Sequence, residues 1–117
     1  MASILYQKSF QFSVRIVRLC RYLESGHREF VLSKQLLRAG TSIGANIAEA
    51  QQAQSRPDFV AKMSIALKET AETIYWIKLL RETDYLTESG FRSILQDATE
   101  IEKMLTGTLK TCKRIPG

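Results

Sequence analysis

The residues able to do bond chemistry are few, and their spacing does not suit catalysis. A nucleophile and its base require Ser, Cys or Thr within reach of His, and the chain has one histidine, His27, in a stretch that reads as a loop. Cys20 and Cys112 stand near opposite ends of the chain within apolar helical patterns. They lack the close pairing of a metal or redox motif and are expected to be buried free thiols acting as small core hydrophobes. Glu69 and Glu72 share one helical face, with Glu49 on the preceding helix. Those three carboxylates could meet, but Glu72 is equally placed to pair with Lys68 one turn earlier. Bundle metal centres draw on Glu-x-x-His, which does not occur here. Gly40-x-x-x-Gly44 lacks the Lys of a phosphate loop and sits inside a helical pattern. No catalytic, cofactor-binding or metal-ligating residue is assigned, and the chain is expected to be no enzyme.

Cations give the one functional pattern with physical content. On a helical wheel Lys8, Arg15 and Arg18 share a face of the first helix opposite Tyr6, Val17 and Cys20, with Arg21 at its margin. Arg28, Lys34 and Arg38 carry the charge onward, and Lys110, Lys113 and Arg114 make a basic C-terminal end. Lys8, Arg15, Arg18, Arg21, Lys34 and Arg38 are the candidate nucleic-acid contacts. The same residues also fit a solvated face that keeps the protein soluble and complements helix C-termini. No aromatic is interleaved on the first-helix basic face, so base stacking is not indicated.

Four helices must position these residues, over about 3–25, 31–53, 57–83 and 88–113. Leu5, Phe12, Ile16, Leu19 and Leu23 repeat in steps of three and four, with Tyr6, Phe10, Val17 and Cys20 as a second stripe, and Gly26 supplies the C′ stop. The second helix is small inside: Ala39, Gly40, Thr41, Ser42, Gly44, Ala45 and Ala48, anchored by Leu32, Leu36, Ile43 and Ile47. Each glycine costs about 1 kcal/mol of helix propensity, which predicts that a neighbouring backbone approaches closely. Ser55-Arg56-Pro57-Asp58 ends one helix and starts the next. Phe59, Met63, Ala66, Thr70, Thr73, Ile77 and Leu80 then hold a heptad, with Val60, Leu67 and Ile74 beside it. Thr87 and Glu88 open the last helix, whose stripe is Phe91, Ile94, Ala98, Ile101, Leu105, Thr108 and Cys112. Adjacent Tyr75 and Trp76 cannot both enter one seam, so they are the candidate oligomer interface. Similar lengths and short connections predict an all-α, up-down-up-down antiparallel four-helix bundle, one domain over 1–117.

Composition agrees with that reading. The 117 residues are 44% apolar and 25% charged with two prolines and six glycines, which suits a soluble folded domain. Seventeen basic against twelve acidic residues leave +5, and the pI is near 9.4. That charge permits attraction to nucleic acid or acidic protein surfaces without requiring it. No run of apolar residues suits a membrane span and no signal peptide is evident, so a cytoplasmic location without membrane association is expected.

Ser33 to Ala50, followed by Asp58-Phe59, Ile65 to Glu69, Glu72-Thr73 and Tyr75-Trp76, resembles the small bundle proteins encoded in intervening sequences of bacterial 23S ribosomal RNA genes. The likeness is strong over Ser33 to Leu86 and rests most on Ser42 to Glu49; Gly44 stands where many members carry Pro, and Ala50 where many carry Gly. The resemblance implies a four-helix bundle assembled as a ring-like homo-oligomer, a pentamer, with no known enzymatic activity. The chain is also similar in fold to basic accessory proteins of diversity-generating retroelements. That likeness implies RNA or DNA as partner, with a reverse transcriptase or a ribosomal component alongside. Five copies in a ring would concentrate five basic faces into one field.

Overall fold

The computed structural model describes residues 3–114. Its helices are α1 (Ile4–His27), α2 (Val31–Ala50), α3 (Arg56–Glu82) and α4 (Glu88–Arg114). Contacts between them run in opposite numerical order at every interface, including α3–α4, where Arg56 bonds the Cys112 carbonyl while Arg81 bonds the Leu86 carbonyl just before α4. Ile16 meets Gly40 while Ser9 meets Gly44, Arg38 meets Glu72 while Lys62 meets Glu49, and Arg15 meets Asp97 while Lys8 meets Glu100. Successive helices are therefore antiparallel, α4 closes back on α1, and the result is the expected up-down-up-down bundle, 50 × 23 × 21 Å.

The periodic positions fill one core. Met63, Ala66, Thr70, Thr73, Ile77 and Leu80 are buried on α3, and Ile94, Ala98, Ile101 and Leu105 on α4. On α1 the buried set is Leu5, Ser9, Phe12, Ile16, Cys20 and Leu23. Cys20 thus belongs to the central seam, whereas Phe10, expected in a second stripe, is 56% exposed. The α1–α2 crossing is lined by Ser9, Ser13, Ile16 and the two glycines, whereas Phe10 lines an open pocket with Lys8, Phe12, Asp97 and Ile101. Leu19 is half-buried against the core.

Helix ends follow local hydrogen bonding. Ser3 accepts from the Tyr6 N–H and Ser55 from the Asp58 N–H, each capping its helix, and Thr87 accepts from the Gly90 N–H at the start of α4. Gly26 is not the stop of α1. The helix runs two residues further, to His27, Arg28 takes the left-handed conformation (φ 54°), and the Glu29 N–H bonds the Leu23 carbonyl at 2.9 Å. Stacking of His27 edge-on to Tyr22 and Tyr85 holds this extra length. The Glu29 carboxylate then accepts from the Leu32 and Ser33 N–H groups and caps α2 from outside its first turn. α2 ends at Ala50 rather than Ala53, and residues 51–54 form the turn that leads into Ser55, which is extended as the cap of α3.

The small interior of α2 has the expected cause. A Cβ at Gly40 would lie 2.8 Å from Ile16 Cγ2, and one at Gly44 would lie 3.3 Å from the Ser9 carbonyl oxygen. A Cβ at Gly107, by contrast, would meet nothing within 4 Å. Gly40→Ala is expected to destabilise the fold by about 1–3 kcal/mol through overpacking. Gly107→Ala is expected to stabilise it by about 1 kcal/mol through helix propensity alone. Urea denaturation of the two variants checks both signs.

Candidate nucleic-acid interface

The six candidate cations do not form one free surface. Lys8 on α1 pairs with Glu100 on α4. Arg15, two turns along, donates to Asp97 at 2.6 Å, to Ser93 Oγ at 2.9 Å and to the Ser93 carbonyl at 3.3 Å. Both bridge α1 to α4, the two packed helices with the sparsest contact. Arg38 on α2 bridges to α3, pairing with Glu72 and, at 3.3 Å, with Glu69. The remaining three, Arg18, Arg21 and Lys34, are exposed and have no ion-pair partner among the described residues. Arg18 and Arg21 lie on the second half of α1 and Lys34 at the start of α2, so the unpaired charge gathers toward the α1–α2 turn, where Arg28 is also exposed. Lys110 and Lys113 are exposed on α4; Arg114 ends that helix, and its side chain lies outside the described residues.

Carboxylates that could have converged are separated by these pairs. Glu49 bonds Lys62 at 3.2 Å, and Glu69 and Glu72 are drawn together by Arg38 rather than by Lys68. Glu72 also accepts from Trp76 Nε1 at 3.0 Å. Tyr75 is 59% exposed and stands edge-on to Trp76, ring centres 5.0 Å apart, while Trp76 packs partly against the core. Of the two aromatics expected at an interface, Tyr75 is thus the surface residue. Among the described residues no group of three or more His, Cys, Asp or Glu is placed to hold a metal ion.

The reactive groups are occupied by structure. His27, expected in a loop, is the last residue of α1, its Nε2 3.0 Å from Tyr22 Oη. Cys20 donates to the Ser33 carbonyl at 3.2 Å. Burial, with a smaller push from the Glu24 carboxylate, raises its thiol to about 11. Cys112, expected buried, is half-exposed near the end of α4, because the last turn of that helix extends past the core.

Sequence reasoning missed a second set of cations, Lys68 and Lys103, which with Lys110 line an open groove of about 730 Å³ between α3 and α4. Their only signal in the sequence is the seven-residue spacing of Lys103 and Lys110. That Lys68 faces them depends on which helices are neighbours.

The chain matches the family described as 23S rRNA-intervening sequence protein over residues 2–107. It is also similar to a solved structure, a protein with unknown function from the S23 ribosomal protein family of Bacteroides thetaiotaomicron. The two are 54% identical, with a TM-score of 0.90 over 92% of this chain and 99% of that one. No curated protein matches. Among the described residues, no helix is long and apolar enough to cross a membrane.

Two outcomes check the geometry of the site. The Lys8 hydrogen bond holds the Glu100 carboxyl below its ordinary range, with Gln96 adding to the effect, and Glu100 in turn holds the Lys8 ammonium above its own. The depressed carboxyl contributes stability above its unfolded value that is lost as pH falls through the folded one. The raised ammonium contributes below its unfolded value and loses it as pH rises through the folded one. The melting-temperature gap between the wild type and Glu100→Gln should therefore be widest near neutral pH and narrow toward both extremes. In the native protein at neutral pH, iodoacetamide should modify Cys112 and spare Cys20, read by peptide mass after quenching.

Proposed function

We propose that this chain, which belongs to the 23S rRNA-intervening sequence protein family, is a non-catalytic, self-assembling bundle that holds RNA or a ribonucleoprotein partner on its basic surface. One observation carries the reading. After the cross-helix pairs are formed, Arg18, Arg21 and Lys34 remain exposed without a carboxylate partner among the described residues, on a chain of net charge +5. Phosphates are the ligands such cations hold most strongly, through released counterions rather than through any single contact. Lys8, Arg15 and Arg38 can join only by exchanging a carboxylate for a phosphate.

Self-assembly is supported by apolar side chains left on the outside of α3, where Tyr75 is 59% and Ile65 41% exposed. Aromatic side chains are enriched in protein interfaces. The resemblance favours a pentamer. A ring would multiply the weak field of one chain, so that Arg18, Arg21 and Lys34 of successive subunits become a continuous attractive surface. The reading carries with it a cytoplasmic location, where ribosomal RNA and its assembly partners are found. Its non-catalytic side is supported by the state of the two most reactive groups, a buried thiol raised to about 11 and a histidine engaged with Tyr22.

Salt titration of binding to a structured ribosomal RNA fragment tests the reading. Three phosphate contacts per chain are expected to give a log–log slope of about −3 at ~0.9 per contact, and Arg18→Gln with Arg21→Gln should flatten it by about 2. Light scattering of the same sample should report an assembly larger than one chain. A flat salt profile, or no binding at low salt, would overturn the nucleic-acid role in favour of a protein–protein adaptor. A monomer at micromolar concentration would overturn the assembly.

A further inference from the structure

The geometry points to a second contact surface for nucleic acid, in which one phosphodiester strand lies along the α3–α4 groove with its phosphates held by Lys68, Lys103 and Lys110. The inference rests on the nucleic-acid reading above but places the strand on a face that reading does not use. Charge pairing sets the groove apart from the α1–α4 and α2–α3 edges. Along the α1–α4 edge, Lys8 and Arg15 are matched by Glu100 and Asp97; along the α2–α3 edge, Arg38 and Lys62 are matched by Glu69, Glu72 and Glu49. Along the α3–α4 groove, Lys68, Lys103 and Lys110 have no carboxylate partner among the described residues, and the one acidic residue lining it is Glu102. Three positive charges against one negative leave the groove positive.

Its floor is open. Ser64, Ala71, Thr106 and Gly107 line it with little side chain, and nothing lies within 4 Å of the point where a Cβ on Gly107 would stand. Lys103 and Lys110 are two helical turns apart, about 10.5 Å along α4 at 1.5 Å per residue. They therefore flank Gly107 on the same face, with Lys68 opposite on α3. A strand seated over Gly107 is thus within reach of long cationic side chains from both walls. An acidic helix of a partner protein is disfavoured by the same floor, because helix-in-groove binding depends on anchoring apolar side chains in pockets, and Leu67 is the only large apolar residue lining it. Aromatic residues are missing from the lining as well, so the groove should hold phosphates without stacking bases, and sequence should matter little.

Fluorescence anisotropy with a labelled 20-nucleotide oligouridylate, run from 50 to 200 mM salt, tests the groove. Removing all three charges (Lys68→Gln, Lys103→Gln and Lys110→Gln together) is expected to lower the log–log slope by about 2, at ~0.7 per single-strand contact. Gly107→Leu leaves every charge in place, fills open space and improves helix propensity, and it is expected to weaken binding about tenfold by blocking the floor. Circular dichroism and melting of each variant confirm that the fold is retained. If the wild type binds and both variants bind equally well, the groove is overturned while the proposed function stands. If the lysine variant weakens but Gly107→Leu does not, the lysines act as diffuse charge and a seated strand is overturned. If the wild type binds neither oligouridylate nor structured RNA at 50 mM salt, both readings fall together. If an acidic peptide binds the groove and oligouridylate does not, the partner is a protein and the inference is overturned.

Discussion

Ile16 occupies the space that a side chain at position 40 would take, and that contact decides how close α1 can lie to α2. Gly40 gives up about 1 kcal/mol of helix propensity. Full burial of an isoleucine returns about 1.5–3 kcal/mol, so the exchange favours the close crossing. Serines continue it, with Ser9 and Ser13 of α1 facing Gly44. Because α1 meets α4 only sparsely, this side-chain-poor seam with α2 fixes where α1 stands. Every charge that α1 carries is positioned by it.

Once the helices are fixed, charge is partitioned. Exposed ion pairs contribute only about 0–1 kcal/mol each, so the pairs of Lys8, Arg15, Arg38 and Lys62 are minor terms in stability. Their larger effect is on what the surface presents. Each pair removes a cation from the field at the edges where α1 meets α4 and α2 meets α3. What remains is uneven: a cluster toward the α1–α2 turn and a lysine-lined groove between α3 and α4. A formal charge of +5 therefore understates the local positive potential at those places and overstates it elsewhere.

The heptad of α3 was readable residue by residue, since burial at Met63, Ala66, Thr70, Thr73, Ile77 and Leu80 depends only on helical period. The cap at Thr87 was readable for the same local reason, whereas α3 begins at Arg56, one residue before the Pro57 start that the sequence suggested, with Ser55 as its cap. Legibility failed where the deciding partner lay on another element or outside the standard position. Glu29 caps α2 from before its first turn, and Gly26 was passed over because aromatic stacking around His27 favoured a longer helix. Phe10 fits an apolar wheel yet stands exposed beside Tyr6, outside the core. A helical wheel also shows which cations share a face without showing which carboxylates face them. Lys8 and Arg18 looked equivalent in sequence and differ entirely in their neighbours.

The interior explains why recognition falls to the surface. Among the described residues four polar side chains are buried, Ser9, Ser33, Thr70 and Thr73: Ser9, Thr70 and Thr73 donate to the Tyr6, Ala66 and Glu69 carbonyls of their own helices, and Ser33 has the Glu29 carbonyl ahead of α2 and the Glu24 carboxylate of α1 as partners. Among the described residues no buried side-chain nitrogen or oxygen is left without a partner. Ligand recognition inside a bundle requires polar groups aimed at a shared space rather than back along their own helix, and here they are turned the other way. The side chains that reach outward are long, flexible cations, together with the exposed aromatics Phe10, Tyr22, Phe30 and Tyr75. Such a surface recognises charge and spacing more readily than base identity, and its affinity grows with the number of contacts engaged together. In the proposed assembly, selectivity would therefore depend on how many copies present their cations at once and in what arrangement.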